Sequence, residues 1–100
     1  MSCRIAGNRA AAFADYFLHP LTSEDERRGG SLTDSLAAYL MAGSSLTEAA
    51  ESLGVHRNTL TYRLNRIREL TNDDLHDPDR RFQMQIAIAA QRMLAALRAA

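Results

Sequence analysis

Residues 55–68 read Val55-His56-Arg57-Asn58-Thr59-Leu60-Thr61-Tyr62-Arg63-Leu64-Asn65-Arg66-Ile67-Arg68. At 100° per residue, Leu64 and Ile67 fall within about 40° of Leu60, so the stretch predicts an amphipathic helix. The opposite face holds Asn58, Tyr62 and Asn65, with Thr59, Thr61, Arg63 and Arg66 on the flanks. Four arginines and no carboxylate occur in the stretch. Arginine pairs bidentately with the two acceptors of guanine, and asparagine with the donor and acceptor of adenine. A helix with this outward face suits the major groove of duplex DNA, where base contacts cluster in the first turns. Arg57, Asn58, Thr61 and Tyr62 are therefore expected to face bases. His56, Arg63 and Arg66 are expected to face the phosphate backbone.

The flanking sequence supports a helix-turn-helix. Upstream, Ser45 with Glu48 is a capping box for a short helix. Leu46, Ala49, Ala50 and Leu53 would form its buried face, and Gly54 ends it. Gly54-Val55-His56 is then the turn, with Gly54 able to take the left-handed conformation a sharp corner demands. The helix after it is expected over 57–70. Further upstream, Ser31 reads as an N-cap, with Asp34 three residues later and Leu32, Leu36, Tyr39 and Leu40 at helical spacing before Gly43. A first helix is expected over about Asn8–Leu18, with a stripe of Ala12, Phe13, Tyr16 and Phe17 ended by Pro20. Residues 19–31 read as a loop. Downstream, Asn72-Asp73-Asp74 breaks the pattern, and Asp77-Pro78 restarts it as N-cap and first helical residue. The last helix, 78–99, carries two apolar stripes, Phe82/Ile86/Ala89/Met93/Leu97 and Met84/Ile88/Ala95. A helix apolar on two sides is buried on both or meets a partner.

The formal net charge is zero over 100 residues, but its distribution is uneven. The four arginines of 55–68 are followed by Glu69, Asp73, Asp74, Asp77 and Asp79, with no base before Arg80. All twelve basic residues are arginine, the side chain suited to bidentate contact with phosphate and guanine. Nearly half of the residues are hydrophobic, many of them alanine and leucine, which favours a helical globular domain. Cys3 is the single cysteine, so an internal disulfide and a cysteine-built zinc site are excluded, and a reducing cytoplasm is expected. No apolar run reaches the ~20 residues that span a bilayer, and Arg4 and Arg9 precede no signal-peptide core. No membrane partner is expected.

Other chemistry finds little support. His19, His56 and His76 lie at three separate boundaries, and a metal site needs converging ligands. Asp73, Asp74, Asp77 and Asp79 lack the spacing, central glycine and closing glutamate of a calcium loop. Ser44 and Ser45 have no base nearby, and no glycine-rich phosphate loop occurs. No enzyme, cofactor or small-molecule ligand is expected of this chain.

The string Val55-His56-Arg57-Asn58-Thr59-Leu60-x-Tyr62-Arg63-Leu64-x-Arg66-Ile67 resembles the signature of the C-terminal helix-turn-helix domain of PucR/CdaR-class bacterial regulators. Leu32-Thr33-Asp34-Ser35-Leu36-Ala37-Ala38-Tyr39-Leu40, Ala49-Ala50-x-x-Leu53, Glu69-Leu70-Thr71 and Asp77-Pro78 are similar to that class in order and spacing, over roughly residues 17–95. The resemblance implies an all-α, Fis-like or homeodomain-like fold of about five helices, acting on double-stranded DNA in transcription. By resemblance, Arg57, Asn58, Thr59, Tyr62 and Arg63 hold DNA-facing positions. Asn72 stands where the class often has glycine, and Ser45 where it often has asparagine. The sensory region that usually lies upstream is absent, so the chain looks like an excised C-terminal domain or an unusually short member. The expected division is 1–30, a helix and loop leading in, and 31–100, the DNA-binding domain, with its motif at 46–70. The alternative function is a helical protein-interaction module using the last helix. The alternative to core packing for Met84 and Ile88 is a homodimer contact.

Overall fold

In a computed structural model the chain forms five helices: α1 (Ser2–Arg28), α2 (Leu32–Met41), α3 (Leu46–Leu53), α4 (Arg57–Thr71) and α5 (Pro78–Ala99). The structure describes the backbone of residues 2–72 and 74–99 and the side chains of residues 12–72 and 74–99. Asp73 lies outside the described residues, and Cys3, Arg4, Asn8 and Arg9 outside the described side chains. No strand occurs among the described residues, and the fold is all-α.

Helix α1 corrects the sequence reading. Pro20 does not end it, and residues 19–28 are helical rather than looped. An interior proline removes one backbone donor and crowds the preceding turn, at a cost of about 3 kcal/mol. Burial offsets this locally. Ala14, Leu18 and Leu21 are buried on one face, and the face continues past Pro20 without a gap. Each buried leucine is worth roughly 1.5–3 kcal/mol. The expected aromatic stripe lies off this face. Phe13 and Phe17 pack at the core margin with ring centroids 4.8 Å apart, and Tyr16 is exposed.

Residues 29–31 are what remains of the expected loop. Gly29 adopts φ 61°, and the Gly30 N–H donates to the Asp25 carbonyl at 3.2 Å. This turn brings the Asp25 side chain over the start of α2. Its carboxylate accepts from the Leu32 N–H at 2.8 Å and the Thr33 N–H at 3.1 Å. Ser31 occupies the N-cap position but makes no side-chain capping bond, which corrects its expected role. A charged carboxylate takes two free donors of the first turn, where a serine hydroxyl would take one.

The next two helices start as the local sequence implies. Ser45 Oγ accepts from the Glu48 N–H at 3.3 Å at the start of α3. Gly54 ends α3 at φ 70°, ψ 31°, and the Val55 N–H reaches back to the Ala50 carbonyl at 3.1 Å. A left-handed corner of this kind costs an L-residue other than glycine roughly 1–2 kcal/mol. Ala49 and Ala50 are buried, with Leu46 and Leu53 partly so. At the far end of α4, Asn72 is left-handed at φ 55°. Leu75 is buried and pins the connection to α5, which opens with the Asp77 carboxylate accepting from the Asp79 N–H at 3.0 Å.

Helix α5 lies along α1 and reaches α2. Only one of its apolar stripes is buried. Met84 and Ile88 are 2% and 7% exposed and belong to the core with Ala87. A dimer contact through Met84 and Ile88 is thereby corrected, because the core already covers both side chains. The other stripe faces outward, with Phe82, Ile86, Met93 and Leu97 exposed.

Candidate nucleic-acid interface

Leu60, Leu64 and Ile67 are the buried residues of α4, and they seat it on the core. The rest of the helix follows from this choice. Asn58, Tyr62 and Asn65 point away from the core, and Tyr62 is 68% exposed. Arg57, Thr59 and Thr61 are exposed beside them, while Arg63 and Arg66 are half-buried on the flank. His56, Arg57, Asn58, Thr59, Thr61 and Tyr62 are thus all accessible in the first turns of the helix.

His56 is the N-cap of α4. Its Nδ1 accepts from the Asn58 N–H at 3.0 Å, and its carbonyl accepts from the Leu60 N–H at 3.2 Å. Serine, threonine, aspartate and asparagine are the usual caps. An imidazole with a free ring nitrogen serves the same donor.

The flanking arginines bridge to other helices. Arg63 Nη1 donates to Ser35 Oγ at 3.2 Å, and Ser35 Oγ in turn donates to the Ser31 carbonyl at 2.8 Å. Arg66 donates from Nη2 to Glu24 Oε2 at 2.8 Å and from Nη1 to Glu69 Oε2 at 3.1 Å. Hydrogen bonds to Glu69 and then to Glu24 raise the Arg66 pKa above the usual guanidinium value. Glu24 is only 3% exposed. It also receives Arg28 at 2.8 Å and Arg27 at 3.3 Å. Glu24 and Ser35 went unrecognised in the sequence, since they lie 42 and 28 residues from their α4 partners.

Among the described residues, the acidic run that begins at Glu69 near the end of α4 does not pair with the outward face of the helix. Among the described residues, Arg66 alone of the α4 arginines pairs with it, through Glu69. Asp74 and Asp77 are used locally, accepting from the His76 and Asp79 N–H groups. An accessible face of arginine and asparagine on a helix that follows a three-residue turn carries groups able to hydrogen-bond to base edges and phosphates.

A family model described as the PucR C-terminal helix-turn-helix domain matches residues 32–90. The chain belongs to this family. That match spans α2, the α3–α4 unit and most of α5. The chain is also 35% identical over 72 residues to the purine catabolism regulatory protein of Bacillus subtilis (strain 168), covering 72% of this chain and 14% of that one. It is 38% identical over 66 residues to the proline-responsive transcriptional activator PutR of the same organism, covering 66% of this chain and 16% of that one. With the carbohydrate diacid regulator of Escherichia coli (strain K12) the identity is 42% over 59 residues, 59% of this chain and 15% of that one. The matched part is thus about a seventh of each of these three relatives. No solved structure gives a significant match. Membership of the PucR helix-turn-helix family makes this chain a DNA-binding domain of the transcription-regulator type. Among the described residues, no helix is long and apolar enough to cross a membrane.

Proposed function

We propose that the domain binds duplex DNA sequence-specifically, with α4 lying in the major groove, as part of a cytoplasmic transcriptional regulator. The observation that carries this reading is the outward face of α4, which has no acidic partner among the described residues and presents Arg57, Asn58, Thr61 and Tyr62 together. Those four residues face bases. His56, Thr59, Arg63 and Arg66 meet the backbone on either side. The free N–H groups and dipole at the start of α4 add to the attraction for phosphate. Selection from random duplexes, followed by fluorescence anisotropy with the purified chain, tests it. Arg57→Ala should cost about 1–3 kcal/mol on the selected site and little elsewhere if Arg57 reads guanine. An equal loss on every sequence would move Arg57 to phosphate. Binding no tighter than that of a charge-matched peptide, at about 0.1 M salt, would sink the reading.

The outward stripe of α5 supports a second reading, in which the last helix meets another protein chain. Phe82, Ile86, Met93 and Leu97 are large, apolar and exposed along one side of it. A second copy seated there would form a dimer. Its two recognition helices could then enter successive turns of DNA, about 34 Å apart. A palindromic selected site, together with a dimer in sedimentation that Met93→Asp abolishes, would support this reading. A monomer bound to an asymmetric site would remove it.

A further inference from the structure

The Glu24 cluster joins α1 to α4 through charged groups that the helix-turn-helix motif does not use. Glu24 is buried, yet it holds Arg27, Arg28 and Arg66 within 3.3 Å. Arg66 shares its other side with exposed Glu69. Asp25 lies beside the cluster, its carboxylate hydrogen-bonded to the first two N–H groups of α2. With Arg63, which lines the adjoining cleft, four guanidiniums stand against the carboxylates of Glu24, Asp25 and Glu69, a net charge of plus one. The excess sits outward, since the side chains of Arg27 and Arg28 are about two thirds exposed. Arg28 reaches Glu24 through Nε, which leaves both of its terminal amino groups available as donors.

The cluster also has a shape. A cleft of about 370 Å³ separates the α1–α2 turn from α4. Arg28, Gly29 and Gly30 line one wall, and Thr59, Tyr62 and Arg63 the other. The second wall belongs to the face assigned to DNA above. A backbone strand bordering a groove occupied by α4 would therefore pass the first wall. A guanidinium held by a buried carboxylate has lost much of its rotamer freedom before a phosphate arrives, so less ordering is needed on contact.

We propose that Arg27 and Arg28, anchored by Glu24, form a second phosphate-contact site that takes the DNA strand beside the groove read by α4. This inference rests on the DNA-binding reading and extends the DNA-contacting unit to a helix outside residues 32–90. The site contributes affinity without sequence preference, because phosphates are alike at every base pair.

The test compares the wild-type chain with the Arg27→Gln/Arg28→Gln pair on a fluorescein-labelled selected duplex and on a scrambled one, over a range of salt. Two lost contacts, each contributing about 0.9 to the log–log salt slope, should make it shallower by about 1.8. At about 0.1 M monovalent salt the affinity should fall roughly sixtyfold, by the same factor on both duplexes. Arg28→Gln alone should give about half the slope change, and it decides the matter should the double variant unfold. Unchanged slope and affinity, with the wild type binding normally, would overturn the site and leave the α4 reading intact. So would a loss confined to the selected duplex, since that marks base reading. If the wild type itself binds neither duplex better than the control peptide, both readings fall.

Discussion

The turns before α2 and before α4 are each three residues long, and each begins with a left-handed glycine, Gly29 at φ 61° and Gly54 at φ 70°. They differ in where the cap comes from. The α3–α4 turn carries its own, since His56 sits inside it and accepts from the Asn58 N–H. The α1–α2 turn borrows one from Asp25, seven and eight residues before the donors it satisfies. The α3–α4 turn is therefore self-contained. The α1–α2 turn works only while the last residues of α1 stay helical and in place. The helix preceding the recognised domain is thus part of its scaffold.

The difference sets an order of stability effects, read by urea unfolding of the free chain. Asp25→Ala should cost the most, about 2 kcal/mol, because it leaves two first-turn donors of α2 without their charged acceptor. His56→Ala should cost about 1 kcal/mol, the usual worth of a single side-chain cap. Ser31→Ala should change stability by less than about 0.5 kcal/mol, because its hydroxyl caps nothing. If Asp25→Ala costs no more than His56→Ala, the borrowed cap is not what holds the α1–α2 corner. If Ser31→Ala costs as much as His56→Ala, the serine caps α2 in solution and the contrast between the two turns disappears.

The same contrast explains what could be read in the sequence. Ser45, Gly54, Asn72 and Asp77 act on neighbours within four residues, so their signals survive in a linear string. The faces of α4 were legible for a related reason. Leu60, Leu64 and Ile67 recur at helical spacing, and placing them inward leaves Asn58, Tyr62 and Asn65 outward. Pro20 misled because its local penalty is visible, whereas the burial of Leu18 and Leu21 that offsets it depends on other helices. The two stripes of α5 were visible as well, but their periodicity is the same whichever one is buried. Glu24 gave no local sign of its burial or of its link to α4, since Arg27 and Arg28 lie within four residues but Arg66 lies 42 residues away.

The cap on α4 also decides where a proton sits. His56 Nδ1 is occupied as an acceptor, so the neutral ring must carry its hydrogen on Nε2. The outer edge of that exposed imidazole then presents an uncharged N–H donor at the start of the helix proposed to read DNA.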